Sequence, residues 1–442
     1  MLRLLAGDVG GTNARLVLYE APSDATSLRD EKTMPSHKVL AQMYYKNNDF
    51  QSFTEVLCSF TSLPAVRDRK IDCCCLAVAG PVSDNHINFT NREGWIIDGN
   101  AIEEEFGIDF VVLVNDFVAN GYGLLSLSHQ ELASLQEGEG AEHGQCTEPV
   151  ALIGAGTGLG ECYLTPTKDG SLIVFPTEGG HVEFAPRTKL ELELLEYMHR
   201  RLNTSGELNG SETEVLPRVS VERIVSGKGL ENIYEFLCEK YPDQVNEVLD
   251  ADYNESNERG RLIGTEKYNY KLFWRALEIM FGVFGDEVGN CVLKYLPYGG
   301  VYIAGGIAPK NLEFLRGKAS QFMRRYMDKG RMSSIMSAFP VYVVMKEDLG
   351  LRGAHTFAAR CASDILASGA NEEKEGAVTE HTKLPVDAPP PSRESKLSAT
   401  EAVREAVVTY PLTYAVVTSF TSAFTAGVIM AGMEVAKKWR TR

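Results

Sequence analysis

Asp8-Val9-Gly10-Gly11-Thr12-Asn13-Ala14-Arg15 follows an apolar run, Leu2 to Ala6, and precedes an alternating one, Arg15 to Tyr19. A Gly-Gly pair between two such runs reads as a tight hairpin, because both glycines are free to take positive φ. Bare glycine backbone lets several N–H groups converge on phosphate oxygens, and Thr12 adds a hydroxyl donor. Asp8, at the strand end, sits where a carboxylate holds a hydrated Mg²⁺. Taken alone, the segment also reads as an ordinary hairpin beside a structural aspartate.

Two further turns supply the missing partners. Ile153-Gly154-Ala155-Gly156-Thr157-Gly158-Leu159-Gly160 again follows an apolar run and again centres on a threonine. Tyr302-Ile303-Ala304-Gly305-Gly306-Ile307-Ala308-Pro309 has a strand in front and a helix-like Asn311 to Leu315 behind. Such turns offer N–H groups to an anion or let a flat base approach the backbone. Together they predict a nucleotide held between two lobes. No Gly-Lys-Ser/Thr follows any of them, which excludes a Walker loop.

The candidate chemistry lies between and beyond the first two turns. Phe110 to Val114 reads as a strand buried on both faces, ending in Asn115-Asp116-Phe117 before a helix-like segment. A carboxylate at the C-terminal end of a buried parallel strand lies where α/β sheets place reactive groups. As an alternative, Asp116 reads as a helix N-cap. In Glu178-Gly179-Gly180-His181, the two functional side chains are spaced to bind adjacent hydroxyls of one polyol, or His181 is a structural histidine. No second His or Cys stands at ligand spacing to make His181 a metal ligand.

With these residues in view, the chain resembles a bacterial-type glucokinase of the actin-like ATPase and sugar kinase superfamily. The resemblance runs from Arg3 to Phe357. It rests on six segments in family order: Gly7 to Arg15, Asn115-Asp116-Phe117, Gly154 to Gly160, Glu178 to Val182, Val219 to Arg223 with Ser226-Gly227, and Phe281 to Gly285 leading to Ala304 to Ile307. The wording from Asn115 to Leu125 is also similar to the glucokinases of kinetoplastid protists. The resemblance implies a two-lobe α/β fold, ribonuclease H-like, and ATP-dependent phosphorylation of glucose at the 6-hydroxyl. Asp116 is implied as general base, with Asn91, Asn115, Glu178, His181 and Glu222 on the remaining sugar hydroxyls. Gly10, Gly11, Thr12, Gly156 and Thr157 are implied at the phosphates, Gly305 and Gly306 at the adenosine, and Asp8 at Mg²⁺ through water. A homodimer is implied as well. Related repressors and sugar kinases follow Glu-Gly-Gly-His with zinc-binding cysteines. Val182 to Lys189 holds none, so no structural zinc is expected there, nor is a helix-turn-helix expected ahead of the first turn. Kinases of glucosamine or mannose, and a sugar sensor without turnover, are the alternatives on this fold.

Composition agrees. At 442 residues and 44% apolar, the chain is long enough for two lobes. A net charge of −16 excludes nucleic acid as a default partner. Nine cysteines without C-x-x-C, three of them consecutive at Cys73-Cys74-Cys75, read as buried free thiols of a reducing, cytoplasmic compartment. No secretory signal is expected, since the first apolar residues form the first strand.

The expected organisation is a small lobe over 1–118, completed by a return over 345–365, and a large lobe over 119–344. Tyr241 to Lys267 reads as a surface helix and loop. Phe273 to Leu293 reads as a helix whose glycines at 282, 285 and 289 pack it against the sheet. Residues 366–405 are rich in Glu, Lys, Ser and Pro and read as a disordered linker. Residues 406–433 carry no charge at all, and 434–442 are basic. That pattern fits a tail anchor on an organelle surface facing the cytosol, or an amphipathic helix packed on a partner. Ser395-Lys396-Leu397 spells a peroxisomal (glycosomal) address, but lies inside the chain rather than at its end.

Overall fold

The Gly10–Gly11 turn joins β1 (Leu2–Val9) to β2 (Asn13–Ala21) as an antiparallel hairpin, with Gly10 N donating to Asn13 O at 2.9 Å. Neither glycine has positive φ, contrary to the expectation. In this computed structural model, residues 1–29, 37–89, 95–138, 148–167, 171–204 and 218–372 are described. They lie within one compact unit, 1–386.

β3 (Lys38–Lys46) extends the hairpin, and β4 (Cys73–Val78) pairs parallel to β1. A small hairpin, β5 (His86–Asn88) with β6 (Ile96–Asp98), stands apart. β7 (Val111–Asn115) pairs parallel to β4, completing a sheet ordered β3-β2-β1-β4-β7. As the terminal strand, β7 leaves Val112 half-buried rather than enclosed on both faces.

The second sheet repeats this plan. β8 (Leu132–Gln136) lies at its edge, and β9 (Val150–Ala155), β10 (Leu159–Pro166) and β11 (Leu172–Thr177) form an antiparallel meander. β12 (Val301–Ala304) and β13 (Val341–Val344) add in parallel, for the order β11-β10-β9-β12-β13-β8. The two Gly-Thr turns therefore occupy equivalent places, each closing the first hairpin of its sheet.

Strand alternation distributes the apolar residues among three cores. Leu4 and Ala6 face one side of β1, Leu5 and Val9 the other. Cys73 and Cys75 share a core with Leu4, while Cys74 points the opposite way; all three are free and buried thiols. The core shared by both sheets is filled by the helices Asp116–Leu124 and Leu349–Glu372. They cross closely enough that a Cβ at Gly353 would overlap Ala119 O, and one at Gly123 would overlap Leu349 O.

Three expectations are corrected. The long helix is Lys271–Tyr295, and its glycines meet the helix Gln321–Met327 rather than the sheet: a Cβ at Gly285 would overlap Phe322 O. Residues 241–267 hold two helices, Glu247–Glu255 and Arg259–Thr265, which bury Tyr253 and Ile263 in the core. The final helix reaches Glu372, so 366–372 belong to it and not to a linker. The rest of 366–405, the run 406–433 and the tail 434–442 lie outside the described residues. Among the described residues, no helix is long and apolar enough to cross a membrane.

Candidate active site

β7 delivers Asn115 and Asp116 to the start of the helix that follows it. Asn115 is the N-cap: its Oδ1 accepts from Phe117 N at 2.8 Å and Val118 N at 3.2 Å, and its Nδ2 donates to Gly80 O at 3.2 Å. Because Asn115 performs the capping, Asp116 is not needed for it, and the N-cap reading of Asp116 is set aside. Burial, reinforced by the nearby negative charge of Asp8, raises Asp116 to about 6; the hydrogen bond from Phe117 N opposes this. A carboxylate tuned toward neutrality at a strand end is suited to accept a proton.

Asp8, at the end of β1, is also raised by burial, with Arg15 across the hairpin opposing. The start of the final helix closes over it: a Cβ at Gly350 would lie 3.5 Å from Asp8 Oδ1. Two carboxylates held near one another against their usual acidity are a donor set that a dication would relieve. That observation fits Mg²⁺ at Asp8.

The second turn is packed from below and open above. A Cβ at Gly154 would come 2.9 Å from Phe117 Cζ, and one at Gly160 would overlap the Phe117 ring. Gly156, in contrast, has no atom within 4 Å of a Cβ position, and Thr157 is exposed. Gly10 is similarly open, its nearest neighbour Asn13 O at 3.7 Å from the Cβ position. The third turn needs glycine for its backbone: Gly305 has φ +83° and lies against Ala155 O. Glu347 links the first and third turns, its carbonyl accepting from Arg15 at 3.4 Å and its carboxylate pairing with Lys310 at 2.6 Å.

β11 leads into Glu178 and a single 3-10 turn, Gly179–His181. His181 Nε2 stands 3.7 Å from Glu178 Oε2, and both side chains are well exposed, 59% and 85%. That exposure is inconsistent with a core histidine. Arg218 holds the turn by donating to His181 O, while Val221 N donates to Val182 O at 2.8 Å. The latter bond delivers Glu222, whose Oε2 accepts from Leu159 N at 2.8 Å.

A cavity of about 420 Å³ brings together Thr157, His181 and Glu222. Asn115, Asp116, Glu178 and the first and third turns do not line it, and Asn91 lies outside the described residues. Arg201, Arg223 and Lys228 do line it, although the sequence did not single them out. The one signal for Lys228 was its place directly after Ser226-Gly227, where Gly227 N donates to Gly156 O at 2.8 Å.

The glucokinase family profile matches residues 5–361. The glucokinase of Synechocystis sp. is 36% identical, over 81% of this chain and 98% of its own length. The chain belongs to the glucokinase family. The glucokinase of a Nostoc strain is 37% identical over 81% of this chain and all of its own length. A glucokinase crystal structure from an Antarctic psychrotroph has a TM-score of 0.62 at 25% identity, covering 81% of this chain and 99% of that one. The glucokinase of Balamuthia mandrillaris, solved with glucose, has a TM-score of 0.63 at 21% identity, over 81% of this chain and 93% of its own, and shows the fold. As a glucokinase, this chain phosphorylates glucose with ATP.

Proposed function

We propose that Asp116 is the general base of this glucokinase, taking the proton from the glucose 6-hydroxyl as that oxygen attacks the γ-phosphorus of ATP. The single observation that carries the assignment is a carboxylate raised to about 6 whose capping duty Asn115 has assumed. A base near neutrality is ionised at working pH yet basic enough to accept the proton. Asn115, Glu178, His181 and Glu222 bind the remaining hydroxyls, with Asn91 as a further contributor. Gly10, Gly11, Thr12, Gly156 and Thr157 receive the phosphates on open backbone, and Gly305 with Gly306 receives the adenosine. Asp8 holds Mg²⁺ through water; the ion, when bound, neutralises phosphate charge.

Phosphoryl transfer asks the protein chiefly for alignment and for exclusion of water. We group 1–118 with 345–365 as one lobe and 119–344 as the other, and assign glucose-driven closure between them as the gate. The resemblance supports a homodimer, and the charge-free run 406–433 supports membrane contact from the cytosolic side. Sedimentation and vesicle flotation of the full chain test these two readings.

The deciding experiment is a coupled assay of glucose 6-phosphate formation with Mg-ATP and glucose, glucosamine, mannose or fructose. Turnover on glucose well above the other sugars is expected. Glucose binding without turnover, detected by calorimetry, would instead favour a sensor on the same fold.

A further inference from the structure

Directly behind the Glu178–His181 turn, three potential ligands converge in the interior. Glu161 lies on β10, and Glu287 and Cys291 lie one turn apart on the helix Lys271–Tyr295. Their exposures are 1%, 3% and 1%, and one ligand atom from each falls within 4.8 Å of the others. Cys291 Sγ donates to Glu161 Oε2 at 3.2 Å, yet Glu161 Oε1 is buried with no hydrogen-bond partner. An orphaned carboxylate oxygen in a dry site is costly, and native proteins rarely leave one without an ion or a water.

From this geometry we propose a divalent-cation site formed by Glu161, Glu287 and Cys291. A small inward rotation of the side chains would bring one sulfur and two carboxylates to ordinary bonding distance of about 2.0–2.3 Å. That mixed donor set selects Zn²⁺ or Co²⁺ over Mg²⁺, which takes oxygen ligands. The charges also close. Two carboxylates and a thiolate sum to −3, Lys294 beside Glu287 at 3.4 Å contributes +1, and a dication neutralises the remainder. Asn290 Nδ2, donating to Glu287 Oε2 at 3.1 Å, fixes that carboxylate from outside the cluster. Burial raises Glu161 to about 7 and lifts the Cys291 thiol well above its usual range.

The site lies under the sugar-binding turn. A Cβ at Gly179 would overlap Glu161 Oε2, Thr177 Oγ1 donates to Glu161 O at 3.3 Å, and Gly179 N donates to Thr177 Oγ1 at 3.2 Å. A bound cation would thus fasten the base of the Glu178–His181 turn to the long helix. Its existence does not depend on the catalytic roles assigned above.

The test is titration of the purified, chelator-stripped full chain with Co²⁺ alone. One Co²⁺ per chain is expected, with a sulfur-to-cobalt charge-transfer band that equimolar Zn²⁺ abolishes. Cys291→Ser should lose the band, and Glu161→Gln should weaken Co²⁺ binding by about tenfold or more. No saturable band in the parent, or an unchanged band in Cys291→Ser, would overturn the site. Should Cys291→Ser fail to fold, X-ray absorption of the cobalt-loaded parent decides. One sulfur with oxygen ligands supports the site, and two or more sulfurs sink it.

Discussion

Leu159 N donates to Glu222 Oε2 at 2.8 Å, across 63 residues of sequence, and so ties the carboxylate proposed to bind sugar to the turn that carries Thr157. Ser226 Oγ, donating to Glu222 O at 2.8 Å, fixes the same residue from its other side. On the proposed roles, sugar and phosphate recognition share one support. Glu222→Ala should raise the requirement for both glucose and ATP, because Leu159 N loses its acceptor, a loss of about 1–3 kcal/mol. Glu222→Gln keeps an acceptor and should affect glucose much more than ATP. Equal ATP effects in the two variants, measured by steady-state kinetics, would refute the shared support.

Asp116→Asn should lower kcat by roughly 10²–10⁴-fold while calorimetry still detects glucose binding. Retained turnover removes Asp116 from the role of base.

The acidity of Asp116 also fixes a pH dependence. The base must be ionised, so kcat/KM for glucose should fall as pH drops through about 6, tending to a tenfold loss per pH unit below it. Stability runs the other way. A carboxyl whose folded pKa is raised binds more protons folded than unfolded, so its contribution declines as pH rises through the window from 3.8 to about 6. Asp116→Asn should therefore melt higher than the parent at neutral pH, with the gap narrowing toward pH 4. A constant gap across that range would contradict the assignment.

Gly160→Ala places a methyl into the Phe117 ring, immediately beside the proposed base. Overpacking of this kind costs about 1–3 kcal/mol. Melting temperature and kcat should fall together, whereas Gly156→Ala, into open space, should leave the melting temperature unchanged and weaken ATP. If Gly160→Ala melts like the parent, the packing is not as described.

Removing 373–442 leaves every contact of the final helix with β1 and β4 intact. Glucose phosphorylation by the shortened chain should match that of the full one. Cutting at 349 removes Ala354, Phe357 and Ala358 from the core between the sheets, and should give insoluble protein. An inactive chain ending at 372 would show that the tail takes part in catalysis.

Much of this site was legible in the chain itself. Glycine turns between apolar runs, Asp116 after a strand, and Glu178 spaced from His181 are local patterns, and local backbone chemistry is written in adjacent residues. Other features depend on distant pairing. The sequence does not say that Asn115 rather than Asp116 caps the helix, because that choice rests on where β7 ends. Nor does it say that residues 282, 285 and 289 meet the helix Gln321–Met327, since the partner of a glycine stripe is set by helix crossing. Glu161, Glu287 and Cys291 read as unrelated residues until β10 is laid against the long helix. Lys228 and Arg223 line the same cavity as Thr157, beside the long-range bond from Gly227 N to Gly156 O. The chain alone thus determined the turns, the place of Asp116 at a strand end and the family resemblance, for these need only neighbouring residues and their order. Tertiary structure decided which side chains meet and how burial tunes their acidity, because desolvation and long-range contact exist only once the sheets and helices have packed.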